Sequence, residues 1–361
     1  MKISEFYTYA PKSKIKAGDA NPEGCYQFFA SSPDKHRRCD EAIYNSPAII
    51  MGTGGGATIH YFDGEFSTST DCLVLIPKDN INPKYLYYVF LGNLDYLKSG
   101  FHGAGLQHTS KAHIDNLEIN NIPSLQTQEK IVELFDKLEK AISDKQKQLS
   151  RLDNIVKARF VEMFGDQRTS SLEIPKGTLK DVADIYLGLT HTPKYVNSGR
   201  PFLSVRDISS GVIDFLNCHY ITEDEFNSLP KGARPKENDL LFCRVGTIGK
   251  PVIIPKGTPE FGTFVSVGFL RKKDNVLNTY LKAWMENEHF MEQVYQNIKG
   301  ASQVNLNTGW LKEFEILIPS MEKQIKFDNF YKQVDKSKFA IQKSLEKTQQ
   351  LFDSLMQEYF G

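Results

Sequence analysis

Ile122-Pro123-Ser124-Leu125-Gln126-Thr127-Gln128 returns 196 residues later as Ile318-Pro319-Ser320-Met321-Glu322-Lys323-Gln324. The repeat runs without a gap to Phe164-Gly165 and Phe360-Gly361. A unit present twice around a large non-identical block predicts a chain built in two halves. In the first copy, steps of four and three separate Ile131, Phe135, Leu138, Ile142, Leu149, Leu152, Val156, Phe160 and Met163, with Lys145 in the vacant register position. The second copy carries Phe327, Tyr331, Val334, Ile341, Leu345, Phe352, Leu355 and Tyr359, with Lys338 and Thr348 as polar interruptions. Such a stripe is the seam of a coiled coil. Ser124 or Thr127 is the expected N-cap after Pro123, Gln128 the expected capping-box partner, and Gly165 the C′ stop. About 38 residues at 1.5 Å each give a rod of roughly 57 Å. Neither seam can stay in water. An antiparallel pairing of the two copies inside one chain gives a pseudo-two-fold arrangement in which the rods act as a ruler, and a homodimerising coiled coil is the other solution.

At 361 residues the chain suits two or three domains. Lys+Arg and Asp+Glu each total 44, and the balance is flat along the chain: 11 basic and 13 acidic residues in 1–121, 18 and 18 in 166–317. A protein that holds nucleic acid alone usually shows a basic excess, so neutrality predicts local contacts or a more basic partner. Five scattered cysteines suit a reducing compartment. No run approaches 18 apolar residues and the first residues open no signal peptide. A cytoplasmic protein with no membrane partner is expected.

Residues 1–121 and 166–317 share an order of features. Each has an apolar stretch running into a glycine-rich loop, Ala48–Gly56 and Asp239–Lys250. Each continues with a strand-like run, Asp71–Ile76 and Phe264–Leu270, and then a helix opening near Asn82-Pro83 and Asn278-Thr279. A small-residue loop with amides follows, Gly103-Ala104-Gly105-Leu106-Gln107 and Gly300-Ala301-Ser302-Gln303-Val304-Asn305. The expected architecture is therefore α+β (with α/β-type globules): domains 1–121 and 166–317 of one fold, alternating with helical regions 122–165 and 318–361.

Gly52-Thr53-Gly54-Gly55-Gly56 lacks the Gly-Lys-Ser/Thr ending of a nucleotide cradle. It reads either as a strand-to-strand turn needing positive φ or as a close backbone approach to DNA phosphates. Arg244 and Lys250 flank the second loop, and Thr53 and His60 the first. Cys25, His36, Cys39 and Cys72 lack the spacing of a zinc site, and His108 and His113 read as surface or core histidines. No Asp/Asn-Pro-Pro-Tyr, no Gly-x-Ser-x-Gly elbow and no nuclease carboxylate–lysine set occurs.

The twice-present Ile-Pro-Ser-x-x-x-Gln, followed by a heptad helix ending in Phe-Gly, resembles the specificity (S) subunits of Type I restriction-modification systems. Leu187–Pro193, Phe202–Ile208, the Arg244-x-Gly246-Thr247-Ile248-Gly249-Lys250 loop and Gly24–Ser32 extend the resemblance over essentially the whole chain. The first block departs from it: the Gly-x-Thr-x-x-Pro opening at 188–193 has only a degraded counterpart near Gly18-Asp19-Ala20. The second block is also preceded by a helical region, whereas the first starts directly.

The resemblance implies a non-catalytic reader of double-stranded DNA. Two target-recognition domains would read the halves of a bipartite, asymmetric site. Two modification methyltransferase subunits would dock on the helices, and restriction endonuclease/translocase subunits would join that core. S-adenosylmethionine, ATP and magnesium would belong to those partners, leaving this chain without a cofactor. The residues carried over are Thr190, Arg206, Arg244, Lys250, Gln303 and Asn305 in the second domain. In the first they are Ser31, Ser32, Thr53, Gln107 and His108. Arg suits guanine and Gln or Asn suits adenine, although each position equally fits an ordinary turn or surface role. The rival readings are a coiled-coil adaptor spacing two domains for a non-DNA ligand, and the detached recognition half of a fused restriction-methyltransferase.

Overall fold

The structure, a computed structural model, describes residues 1–103, 105, 107–168, 173–297 and 305–361. It comprises two compact units, Met1–Gln146 with Lys343–Gly361, and Lys147–Gln342. Two 40-residue helices, Leu125–Phe164 and Met321–Phe360, each give one segment to either unit.

In the first unit an antiparallel sheet has the order Tyr7–Tyr9, Cys72–Pro77, Ala48–Gly52, Thr58–Phe62. In the second the order is Ala183–Leu187, Val267–Lys272, Leu240–Cys243, Gly249–Ile253, again antiparallel throughout. Each unit adds a second sheet built around one parallel pair. That pair is Tyr26–Phe29 with Glu65–Thr68 in the first unit, and Arg200–Leu203 with Gly262–Thr263 in the second. The two blocks thus share one α+β fold. Ile49, Ile50, Leu240, Leu241 and Phe242 are fully buried, which is why these strands read as unbroken apolar runs rather than alternating ones. The strand expected from Phe264 starts only at Val267, because Val267 N–H turns back to the Phe264 carbonyl at 2.9 Å.

Asn82 caps the helix Pro83–Gly92, its Oδ1 accepting from Lys84 and Tyr85 N–H at 2.9 and 3.1 Å. The counterpart helix Asn278–Met285 has no side-chain cap; Asn278 turns inward and donates to the Asn238 carbonyl.

Within each unit the helical segments run antiparallel. In the first, the Phe135 ring meets Phe352 at 5.2 Å and Phe360 at 5.6 Å, and Lys145 Nζ donates to Thr348 Oγ1 at 2.6 Å. In the second, Phe160 meets Phe327 at 5.7 Å and Lys338 Nζ meets Asp153 Oδ1 at 2.5 Å. The polar interruptions of the stripes therefore find polar partners at the seam.

Two sequence expectations need correction. Tyr359 is 42% exposed, and the buried residue of that last turn is Phe360. Phe164, its equivalent at offset 196, is likewise fully buried although the stripe ran through Met163. Both phenylalanines join the seam to a globular core: Phe164 lies 4.9 Å from the Tyr280 ring and 5.4 Å from Phe327, and Phe360 lies 5.3 Å from Tyr85 and 5.6 Å from Phe135. Gly165 then ends the first helix at φ 74°. Gln128, expected in a capping box, is instead buried: its Oε1 accepts Asn82 N–H at 2.7 Å and its Nε2 donates to the Pro123 carbonyl at 2.9 Å. Gln324 repeats this with Leu277 N–H at 2.8 Å and the Pro319 carbonyl at 2.9 Å. Among the described residues no helix is long and apolar enough to cross a membrane. All five cysteines are unpaired.

Candidate nucleic-acid interface

Both units build the same backbone junction between the glycine-rich loop and the loop that follows the domain helices. In the first, Thr53 N–H donates to the Asp71 carbonyl at 2.8 Å, Thr109 N–H to the Thr53 carbonyl at 3.1 Å, and Gly54 bridges His108. In the second, Arg244 N–H donates to the Ser266 carbonyl at 3.0 Å, Leu306 N–H to the Arg244 carbonyl at 2.9 Å, and Val245 bridges Asn305. Thr53 and Arg244 are thus equivalent, as are His108 and Asn305. Gly55 and Gly246 follow at φ 80° and 70°, where a side chain would be strained. Both loops are strand-to-strand turns, as one of the two sequence readings had it.

The first junction brings four expected residues together. The Ser31 hydroxyl accepts Gly54 N–H at 3.1 Å and donates to the Gly54 carbonyl at 2.5 Å. Gly55 N–H donates to the Gln107 carbonyl at 2.9 Å, and Thr53 Oγ1 to the Asp71 carbonyl at 3.0 Å. A Cβ on Gly52 would lie 2.4 Å from Ser31 Oγ and 2.9 Å from Ser31 Cα, so glycine lets Ser31 approach the strand this closely. The Gln107 and His108 side chains stand exposed on this frame. Ser32 sits aside: its Oγ accepts Asp34 N–H at 3.1 Å, and its carbonyl meets Nε2 of the buried His60 at 2.9 Å.

Arg244 is a strut. Only 8% exposed, it donates from Nε to the Leu306 carbonyl at 3.0 Å and from Nη1 to the Val265 carbonyl at 2.7 Å. Nη2 reaches Asn305 Oδ1 at 3.4 Å. Burial pulls its pKa down, yet a guanidinium stays charged near neutrality. Three of its five N–H groups are held by acceptors of its own unit, and Asn305, exposed, is the outward side chain of this pair. Gln303 lies outside the described residues.

Ser266 ties a second turn to this junction, its Oγ accepting Val205 N–H at 3.1 Å. That turn presents Arg206, whose side chain is 54% exposed and paired with the buried Asp207 at 3.1 Å. Thr190 is exposed, two residues beyond Gly188, where a Cβ would clash with the Phe264 carbonyl oxygen at 2.2 Å. Lys250 stands apart. At φ 48° it lines a cleft of about 480 Å³ with Lys157, Lys282, Glu286, Tyr331 and Lys338 of its own unit. Sequence reasoning missed Ser266 and Asp207. The Ser204-x-x-Asp207 spacing, a capping pattern, was the available signal for the latter.

The model of the Type I restriction modification DNA specificity domain matches residues 1–152 and 173–351, most of both units. The chain belongs to this family. Among curated relatives, the MjaVIII specificity subunit of Methanocaldococcus jannaschii is 23% identical over 86% of this chain and 79% of its own. The EcoBI specificity subunit of Escherichia coli is 20% identical over 83% of this chain and 68% of its own. The fold is that of the solved S subunit from M. genitalium, at a TM-score of 0.65 and 14% identity over 100% of this chain and 95% of that one. A structure described as underlying complex assembly and conformational transition of the type I R-M system follows at 0.54 and 15%, covering 100% and 96%. In this specificity-family chain the two matched stretches each take in one globular block and most of one long helix.

Proposed function

We propose that each unit reads one half of a bipartite, asymmetric site in double-stranded DNA and that the chain itself carries out no chemistry. The observation that supports this is the duplicated junction with different tips. One backbone frame presents Thr53, Gln107 and His108 in the first unit, and Asn305 beside the Arg206 turn in the second. A shared frame with unlike donors and acceptors suits two unlike half-sites, because base edges are distinguished by donor and acceptor pattern. Thr190 and Ser31 complete the proposed surface as positioning or backbone contacts, Arg244 acts on it by holding the loops together, and Ser32 and Lys250, apart from the junction, remain in the proposal on the resemblance alone. Gln303 remains in the proposal on the resemblance alone.

Two methyltransferase subunits and the restriction endonuclease/translocase subunits are the proposed protein partners. S-adenosylmethionine, ATP and magnesium belong, on this reading, to them. Ile155 and Leu351, equivalent at offset 196, are 47% and 50% exposed on the two long helices. Net neutrality fits a reader whose partners supply much of the phosphate attraction. The test is methylation by the full chain with and without methyltransferase subunits, in wild-type and Arg244→Ala forms. Expected are no methylation by the chain alone, specific methylation by the complex, and loss of preference in one half-site only for the variant. Equal loss in both halves counts against modular reading.

A further inference from the structure

The Arg206 turn is braced more tightly than an exposed arginine requires. Nε donates to Asp207 Oδ1 at 3.1 Å and Nη2 to the Asn217 carbonyl at 3.2 Å. Asp207 is 2% exposed, and its other oxygen accepts Ser204 N–H at 2.7 Å and Ser204 Oγ at 2.8 Å. Asn217 is fixed in turn by Nδ2 to Asp214 Oδ2 at 2.9 Å, and Asp214 N–H returns to the Asp207 carbonyl at 2.8 Å. Both bonds to the guanidinium fall on its Nε–Nη2 edge. The Nη1–Nη2 end keeps three N–H groups and stands on a side chain more than half exposed. Arg200, by contrast, spends Nε and Nη2 on Glu223 and meets Glu260 through Nη1.

The neighbourhood is also prepared. Tyr195 stacks on His219 with ring centroids 4.1 Å apart and planes at 16°. Burial raises the Tyr195 hydroxyl's pKa, while the Arg206 charge lowers it and the Asp207 charge raises it. A fixed fork loses little side-chain entropy on binding, which is what preorganised recognition needs.

We propose that Arg206 is the guanine-reading residue of the second unit, presenting its Nη1–Nη2 fork to O6 and N7, with Asp207, Ser204 and the Asn217 carbonyl as its positioning set. Two adjacent acceptors match two adjacent donors, whereas adenine offers a donor at N6 and mismatches one of them. The half-site read by this unit therefore contains a guanine at one defined position. This deepens the DNA-reading proposal and rests on it.

The test selects randomised DNA duplexes with the full chain assembled with its methyltransferase subunits, and sequences the bound pool. For Arg206→Ala, discrimination at one position of one half-site should fall by roughly 5- to 150-fold. The other half-site should stay unchanged. Arg206→Lys, which keeps the charge but not the fork, should relax the same position. Asp207→Asn should relax it in the same sense and to a smaller extent; a merely structural role would lower preference along the whole half-site. A specific wild-type complex whose preferences survive Arg206→Ala at every position overturns the assignment alone. A uniform loss of affinity, with the salt slope reduced by about one, makes Arg206 a phosphate contact and also overturns it. A wild-type complex with no base preference overturns the DNA-reading proposal itself.

Discussion

Gln324 Oε1 accepts the backbone N–H of Leu277 at 2.8 Å, joining the first turn of a long helix to the residue that precedes the domain helix Asn278–Met285. Its Nε2 also donates to the Asn275 and Pro319 carbonyls at 3.0 and 2.9 Å, and the residue is fully buried. Gln128 makes the same link to Asn82 in the first unit. A repeated glutamine thus fixes where each long helix leaves its recognition domain.

Replacing either glutamine by leucine keeps the volume and strands a buried N–H. Such a stranded donor costs about 1–3 kcal/mol. Gln324→Leu should show the larger loss, since two carbonyls lose their donor as well. Denaturant unfolding measures it, and an unchanged midpoint for both variants would show that these links add nothing to stability.

His60 makes the first unit acid-sensitive. It is 3% exposed, its Nε2 meets the Ser32 carbonyl at 2.9 Å, and its Nδ1 has no partner among the described residues. Burial, the largest cause, lowers its pKa below the ordinary 6.5, and Lys35 adds to this against the Ser32 bond. The unfolded chain therefore takes up a proton below about pH 6.5 while the folded chain does not. Stability should fall as pH drops through that region, by up to about 1.4 kcal/mol per pH unit. His60→Gln, which cannot titrate, should flatten that limb of the stability–pH curve. A variant with the wild-type slope would assign the sensitivity elsewhere.

The two long helices are continuous over 40 residues each, and the proposal that they space the half-sites can be tested by lengthening them. Inserting one heptad after Gln146 and one after Gln342 keeps both stripes in phase. Each rod gains roughly 10 Å at 1.5 Å per residue. With DNA rising about 3.4 Å per base pair, the gap between half-sites should grow by up to about three pairs. The half-sites themselves should not change. Methylation mapping reads both, and undiminished preference for the original gap would show that the helices do not set the spacing.

The sequence alone determined the duplicated helix, its seam, its glycine stop and the shared order of features in the two blocks. These are local patterns: a 3.5-residue stripe or a Gly-rich turn is written in consecutive residues. Tertiary structure alone decided that Phe164 and Phe360 rather than Met163 and Tyr359 are buried, since their rings meet partners some 116 and 275 positions away, Tyr280 and Tyr85. It likewise turned Gln128 from a helix cap into a link with Asn82, 46 residues distant. It also made Arg244, which looked like a base reader, an internal strut between Val265 and Leu306. A guanidinium reaches outward or inward according to which carbonyls the fold brings within 3 Å of it, and no run of neighbouring residues records that.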